Sequence, residues 1–135
     1  MAWHRRNLIM VGSALAIALS LALSAPLLLA QPGKVEVHWL GQATFKITMP
    51  GGKVIVIDPF VTGNPKTPAE YKDLAKLGKV DLILVTHGHA DHVRTVGRSD
   101  GGSDLADLAK RSGAKVFGPA GLIQSLIEIG WLTGE

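Results

Sequence analysis

The residues best suited to chemistry lie in one hexapeptide, His87-Gly88-His89-Ala90-Asp91-His92. Four of its six side chains are metal donors, and three of the chain's five histidines fall within it. His87 and His89, two apart, can bind one cation through imidazole nitrogens. Asp91 and His92, adjacent, can turn toward a second. Gly88 and Ala90 are small, so the backbone can bend tightly and the donors can converge. A pair of cations polarises a carbonyl or phosphoryl oxygen and lowers the pKa of a bound water to about 7. Neutral imidazole and carboxylate suit zinc, manganese or iron, and the absence of Cys removes a reason to prefer zinc alone. The bland alternative is a solvated loop rich in histidine, but four donors in six residues are too concentrated to fit it well.

Such a loop must be carried by rigid elements, and the flanking pattern supplies them. Val35–Leu40 alternates Val35, Val37 and Trp39 against Glu36 and His38, the period of a strand. After Gly41-Gln42, Phe45, Ile47 and Met49 alternate against Thr44, Lys46 and Thr48. Pro50-Gly51-Gly52 is a hairpin signal. Val54-Ile55-Val56-Ile57 is apolar on both faces and predicts an interior strand, closing a three-stranded meander. Asp58–Pro68 carries prolines and glycine and predicts a loop. Pro68–Leu77 has Tyr71, Leu74, Ala75 and Leu77 at helical spacing before Gly78. Leu82–Val85 predicts a second doubly buried strand, leading straight into the hexapeptide. Helices are predicted over Ser103–Ser112 and Gly121–Ile129, with a short strand at Lys115–Phe117 between them. Each predicted helix stops at a glycine, the residue suited to a left-handed C-terminal cap. The pattern is α/β, and in open α/β sheets sites gather at the carboxyl ends of strands.

Composition excludes several classes. The 135 residues are 47% hydrophobic and 19% charged, which is incompatible with a disordered tail. Zero Cys excludes a disulfide framework and any thiolate metal site. Arg5 and Arg6 supply two of the three net positive charges, so residues 31–135 carry only +1. A near-neutral body has no nucleic-acid footprint. The first thirty residues read as an address. Arg5-Arg6 precedes Leu8–Ala30, an apolar run broken by Gly12, three serines and Pro26, and no charge appears before Lys34. This is the layout of a secretory signal, with candidate cleavage after Ala22-Leu23-Ser24 or Ala30. The run is also long enough for an uncleaved anchor, since roughly 20 residues span a bilayer. Arg5-Arg6-Asn7-Leu8-Ile9 further resembles a twin-arginine export signal. Either reading predicts an exported protein, periplasmic or held extracytoplasmically to the membrane through residues 8–30.

The sequence resembles the metallo-β-lactamase-fold metal-dependent hydrolases, and within them the branch that includes ascorbate-6-phosphate lactonase-like proteins. The resemblance runs from Val35 to about Gly130. It rests on Trp39-Leu40-Gly41-Gln42-Ala43-Thr44-Phe45, on Ile57-Asp58-Pro59-Phe60 with Thr62-Gly63-Asn64-Pro65, on Leu84-Val85-Thr86 with the hexapeptide, and on Gly113-Ala114-Lys115-Val116. It implies an αββα sandwich with two divalent ions at one edge and a small-molecule substrate. His87 and His89 would hold the first ion, Asp91 and His92 the second. A metal-bound hydroxide would attack an ester, lactone, amide or phosphodiester, with Asp91 also orienting the water. Asp58 would support the metal loop by hydrogen bonds; equally, it reads as a strand-end Asp capping the Pro59 turn.

Two departures accompany the resemblance. The family places a further histidine, a bridging aspartate and a final histidine downstream, and a second sheet with them. After His92 this chain offers Asp100, Asp104, Asp107, Glu128 and Glu135, none in a matching motif. The expectation is therefore the first half of the sandwich: residues 1–30 a signal or anchor helix, residues 31–135 the N-terminal part of a hydrolase domain, poorly active alone and with one sheet face wet. The other departure is a loop-like insert, Arg94–Ser103, read either as harmless growth or as damage beside the metal loop. A non-catalytic metal-binding fragment and a nuclease of the same fold are the alternative functions. His38 is expected on the strand surface, and Trp39 and Trp131 in the core or at its rim.

Overall fold

The computed structural model describes residues 33–94 and 101–134. The 1–30 segment and most of the Arg94–Ser103 insert lie outside the described residues. Among the described residues no helix is long and apolar enough to cross a membrane.

Five strands form one mixed sheet: β1 (Glu36–Trp39), β2 (Phe45–Thr48), β3 (Val54–Ile57), β4 (Leu82–Leu84) and β5 (Lys115–Phe117), in that spatial order. β1–β2 and β2–β3 pair antiparallel, and β3–β4 and β4–β5 pair parallel. The meander follows from its turns. Gly41 and Gln42 both have positive φ, 98° and 51°, at the first reversal. At the second, the Gly52 N–H reaches the Met49 carbonyl at 2.8 Å. A parallel pair needs a crossover, and residues 58–81 and 85–114 provide the two. In consequence β1, β3, β4 and β5 all end at one edge of the sheet, where the hexapeptide begins.

The helices are α1 (Ala90–Val93), α2 (Asp104–Ser112) and α3 (Ala120–Glu128). α2 starts where the Ser103 hydroxyl accepts the Ala106 N–H, and Gly113 in the left-handed region ends it. α3 ends in a Schellman motif. Gly130, at φ 76°, donates to the Ile127 carbonyl, and Trp131 donates to the Leu126 carbonyl, both at 2.9 Å. This reversal folds Trp131 and Leu132 back against the core.

The helix predicted over Pro68–Leu77 is instead two 3-10 turns, Ala69–Tyr71 and Leu74–Leu77. Asp73 separates them. Its backbone is extended, and its side chain accepts the Ala75 N–H at 2.8 Å. An aspartate that can cap a new turn competes with continuing the old one. Tyr71 and Leu74 still pack on the core, so the helical spacing read the correct face and the wrong geometry.

The register assigns every strand side chain to a face. Val54, Val56, Ile83 and Val116 face the helices; Val56 and Ile83 are fully buried, with Leu77, Val80, Leu105 and Leu108 against them. The other face carries two cross-strand rows. One is Trp39, Phe45, Ile57, Leu84 and Phe117; the other is Val37, Ile47, Ile55, Leu82 and Lys115. Trp39 is 57% exposed and Phe117 59%. The two strands expected to be buried on both faces are therefore buried on one, because no described residue forms a layer over the second. Trp39 lies on this open face rather than in the core. His38 sits on the strand surface, with Nδ1 3.2 Å from the Tyr71 hydroxyl.

Two carboxylates fasten the crossovers. Asp81 pins the start of the β3–β4 pair, accepting from Lys53 Nζ at 2.8 Å and the Val54 N–H at 3.0 Å. The Lys53 hydrogen bond, followed by that of Val54, holds the Asp81 carboxyl below the usual aspartate range. Asp104, fully buried at the start of α2, accepts from the N–H groups of Val61 and Thr62 at 2.7 and 2.8 Å and from the Thr62 hydroxyl at 2.7 Å. It ties the loop after β3 to the helix layer. Replacing it would strand buried donors, each costing about 1–3 kcal/mol. Asp104→Ala should lower stability by about 3 kcal/mol in denaturant unfolding of the full chain followed by tryptophan fluorescence. A loss below about 1 kcal/mol would contradict this role.

Candidate metal centre

The site is assembled from the ends of β3 and β4 and from α1. β3 delivers Asp58, β4 leads through Val85 into Thr86 and His87, and α1 carries Asp91 and His92 on a single helical turn. His89 is the residue before that turn. The loop sits close on α3. A Cβ built on Gly88 would lie 3.3 Å from Leu122 Cδ1, so a residue without a side chain suits the approach. The stems of the Arg94–Ser103 insert are drawn together, since the Ser103 hydroxyl donates to the Val93 carbonyl.

Asp58 is the anchor. It is 1% exposed, and its backbone lies at φ 45°, a conformation that non-glycine residues adopt rarely and Asp tolerates better than most. Its carboxylate takes three donors. Oδ1 accepts the Thr86 N–H at 2.8 Å, and Oδ2 faces the Thr86 hydroxyl at 2.7 Å and His92 Nδ1 at 2.9 Å. Its own N–H donates to the Leu84 carbonyl at 2.9 Å, while the Thr44 hydroxyl holds its carbonyl at 2.6 Å. Asp58 thus contacts both the start of the metal loop and one of its proposed donors, and in addition terminates the strand.

The four hexapeptide donors fall into two pairs. His87 Nε2 and His89 Nδ1 stand 3.0 Å apart, their rings at 74° with centroids 4.5 Å apart. Donors about 2.0–2.1 Å from a tetrahedral zinc ion lie roughly 3.3 Å from each other, close to this separation. His92 Nε2 and Asp91 Oδ1 are 3.8 Å apart and can face a second ion. The His87 and His92 rings lie only 3.9 Å apart, centroid to centroid, so the two pairs adjoin. Histidines that bind metals characteristically pass their other ring N–H to a carboxylate or backbone carbonyl, and His92 does so to Asp58. By donor type and arrangement these residues fit divalent ions. Among the described residues no three His, Cys, Asp or Glu side chains converge on a single point, so each pair offers two protein donors. Of the downstream acidic residues, the described ones, Asp104, Asp107 and Glu128, do not join them; Asp104 is committed to the loop at Val61–Thr62.

Sequence reading alone does not single out two polar residues of this edge. Thr86 reads only as the residue between the predicted strand Leu82–Val85 and the hexapeptide, yet its hydroxyl stands among Asp58, His87 and His92. Asp104 reads as an acidic residue in a first helical turn. The only local hint of its role is the Thr62-Gly63-Asn64 segment, whose turn needs an acceptor from elsewhere.

A profile of the Beta-lactamase superfamily domain matches residues 36–107, more than half of the chain. The chain belongs to this family. The matched span holds Asp58, Thr86 and the whole hexapeptide. Related proteins are named UPF0173 metal-dependent hydrolases. The one from Cupriavidus necator is 52% identical over 98 residues, covering 73% of this chain and 31% of its own length. Those from Cupriavidus taiwanensis and a Polaromonas species are 47% identical over 123 residues and 50% over 115, covering 90% and 82% of this chain and 40% and 39% of their own. The chain thus spans roughly a third of the length of the curated relatives it matches.

Asp58→Asn keeps the tolerance for positive φ but leaves one acceptor oxygen for three donors. The Thr86 amide should then exchange its hydrogen at least about tenfold faster, measured by hydrogen-exchange NMR. Unchanged protection would show that Asp58 does not hold the loop.

Proposed function

We propose that this chain carries the metal-binding edge of a metal-dependent hydrolase acting on an ester, lactone, amide or phosphodiester of a small molecule. The observation that carries this reading is the pairing of donors, His87 with His89 and Asp91 with His92, beside a buried carboxylate that takes the second ring nitrogen of His92. The relatives' name, metal-dependent hydrolase, supports it. In this reading His87 and His89 hold one divalent ion, and Asp91 and His92 hold another; zinc, manganese and iron all suit these donors. The ions, when bound, lower the pKa of a water to about 7 and polarise the oxygen of the scissile group. Asp91, with 43% of its side chain exposed, orients the attacking water and takes its proton on a carboxylate oxygen. Asp58 and Thr86 keep the rings from turning. The sheet is read as the first sheet of an αββα sandwich, and residues 1–30 as an export signal or membrane anchor.

The two-donor count favours a second reading for the chain by itself, metal binding with little turnover. With only His87 and His89, or Asp91 and His92, to hold it, an ion would be loosely oriented and would place its water poorly. A misplacement of about 1 Å can cost on the order of a hundredfold in rate.

Calorimetry of the full chain in detergent should show weak binding of zinc or manganese, with most of the heat lost in the His87→Ala/His89→Ala double variant. Identical isotherms would overturn the metal reading. Turnover of generic nitrophenyl esters and phosphodiesters should be low, and robust turnover abolished by Asp91→Ala would show that two donors per ion suffice. For export, a reporter active only outside the cytoplasm should be active when fused after Gly33, and activity of a cytoplasm-only reporter at the same point would refute the address.

A further inference from the structure

We propose that Thr86 is a positioning residue that fixes which ring nitrogen of His87 carries the proton, while Asp58 does the same for His92. Thr86 is exposed as a residue, so packing does not demand its side chain. Its hydroxyl nonetheless has three polar neighbours: Asp58 Oδ2 at 2.7 Å, His87 Nδ1 at 3.0 Å and His92 Nδ1 at 3.4 Å.

Proton counting leaves one arrangement. A hydroxyl has one proton and two lone pairs, and a carboxylate only accepts. At 2.7 Å from Asp58, Thr86 must give its proton to the carboxylate. Only lone pairs then remain toward His87, so His87 Nδ1 must be the N–H that donates. His92 Nδ1 lies 2.9 Å from the same carboxylate oxygen and must donate as well. Both neutral rings therefore carry the proton on Nδ1 and leave Nε2 bare. The bare Nε2 of His87 points at His89 Nδ1, 3.0 Å away, and that of His92 lies 3.8 Å from Asp91 Oδ1. The free histidine side chain favours the opposite tautomer, with its proton on Nε2, so this placement must be imposed. The hydroxyl does so for His87 and the carboxylate for His92. Thr86 and Asp58 thereby each preset one nitrogen, His87 Nε2 in the first donor pair and His92 Nε2 in the second. What those nitrogens hold rests on the metal reading above; the placement of the protons does not.

The test is a long-range ¹H–¹⁵N correlation spectrum of the imidazoles, recorded on the full chain in detergent, with chelator present and at a pH where the rings are neutral. The parent should show His87 and His92 protonated on Nδ1. Thr86→Val keeps the branched shape and the backbone N–H but loses the hydroxyl. His87 should shift to the Nε2-protonated form while His92, still on Asp58, stays as it was. Thr86→Ser should restore the parent spectrum. In a zinc titration Thr86→Val should weaken binding by about 10–100-fold, and Thr86→Ser should not. His87 protonated on Nε2 in the parent, or unmoved by Thr86→Val, would overturn the proposal. Should the valine variant fail to fold, the parent and serine spectra still decide, because both must show Nδ1 protonation at His87. Expected tautomers in a parent that binds no zinc would sink the metal reading and leave the role of Thr86 standing.

Discussion

A carboxylate buried at the junction of two parallel strands governs the site. Burying a charge is costly unless its oxygens are fully hydrogen-bonded, and Asp58 meets this condition only with Thr86 and His92 in place. The condition acts in both directions. The loop holds the carboxylate in a backbone conformation that few residues accept, and the carboxylate holds the loop at the one orientation that supplies three donors. Backbone strain of this kind persists where surrounding contacts over-determine it. Here those contacts are the Leu84 carbonyl, the Thr44 hydroxyl and the Thr86 backbone. Asp81 does the corresponding work at the opposite end of the same strand pair, so β3 and β4 are clamped at both ends and cannot slip in register.

The sheet places unlike surfaces on its two sides. Beneath the helices, valines and leucines interlock at near-complete burial. On the other side, the row Trp39, Phe45, Ile57, Leu84 and Phe117 runs across all five strands directly below the donor edge. A position shifted by one residue along any of these strands would exchange the faces and carry the donors out of line. The apolar rows therefore serve the chemistry indirectly, because the alternation that builds them also fixes where β3 and β4 end.

Much of this was legible in the sequence, for physical reasons that differ by element. The hexapeptide stood out because donors so concentrated have little other use. The meander was readable because its turns are made by glycine and proline and its strands alternate. α2 announced both ends, through Ser103 and Gly113. The segment Pro68–Leu77 misled because spacing reports which face is buried and not how tightly the backbone winds; Asp73 decided that locally. Burial on both faces of β3 and β4 was over-read, since an apolar run shows that a face is greasy and not that something covers it. Thr86 and Asp104 were invisible as hubs because the contacts that make them so, Thr86 with Asp58 and Asp104 with Val61–Thr62, span 28 and 42 or more residues of sequence. No local pattern encodes an acceptor that distant.

The mixed pairing of the sheet also has a kinetic consequence. β1, β2 and β3 join through tight turns, and such hairpins close on the order of microseconds. β4 and β5 must instead return over long crossovers and pay loop-closure entropy before any pairing rewards it. Asp58 belongs to the fast half, and Thr86 with the histidines belongs to the slow one. The carboxylate therefore waits in a formed meander for its donors to arrive, and the pairing of β4 on β3 is also the step that completes the site.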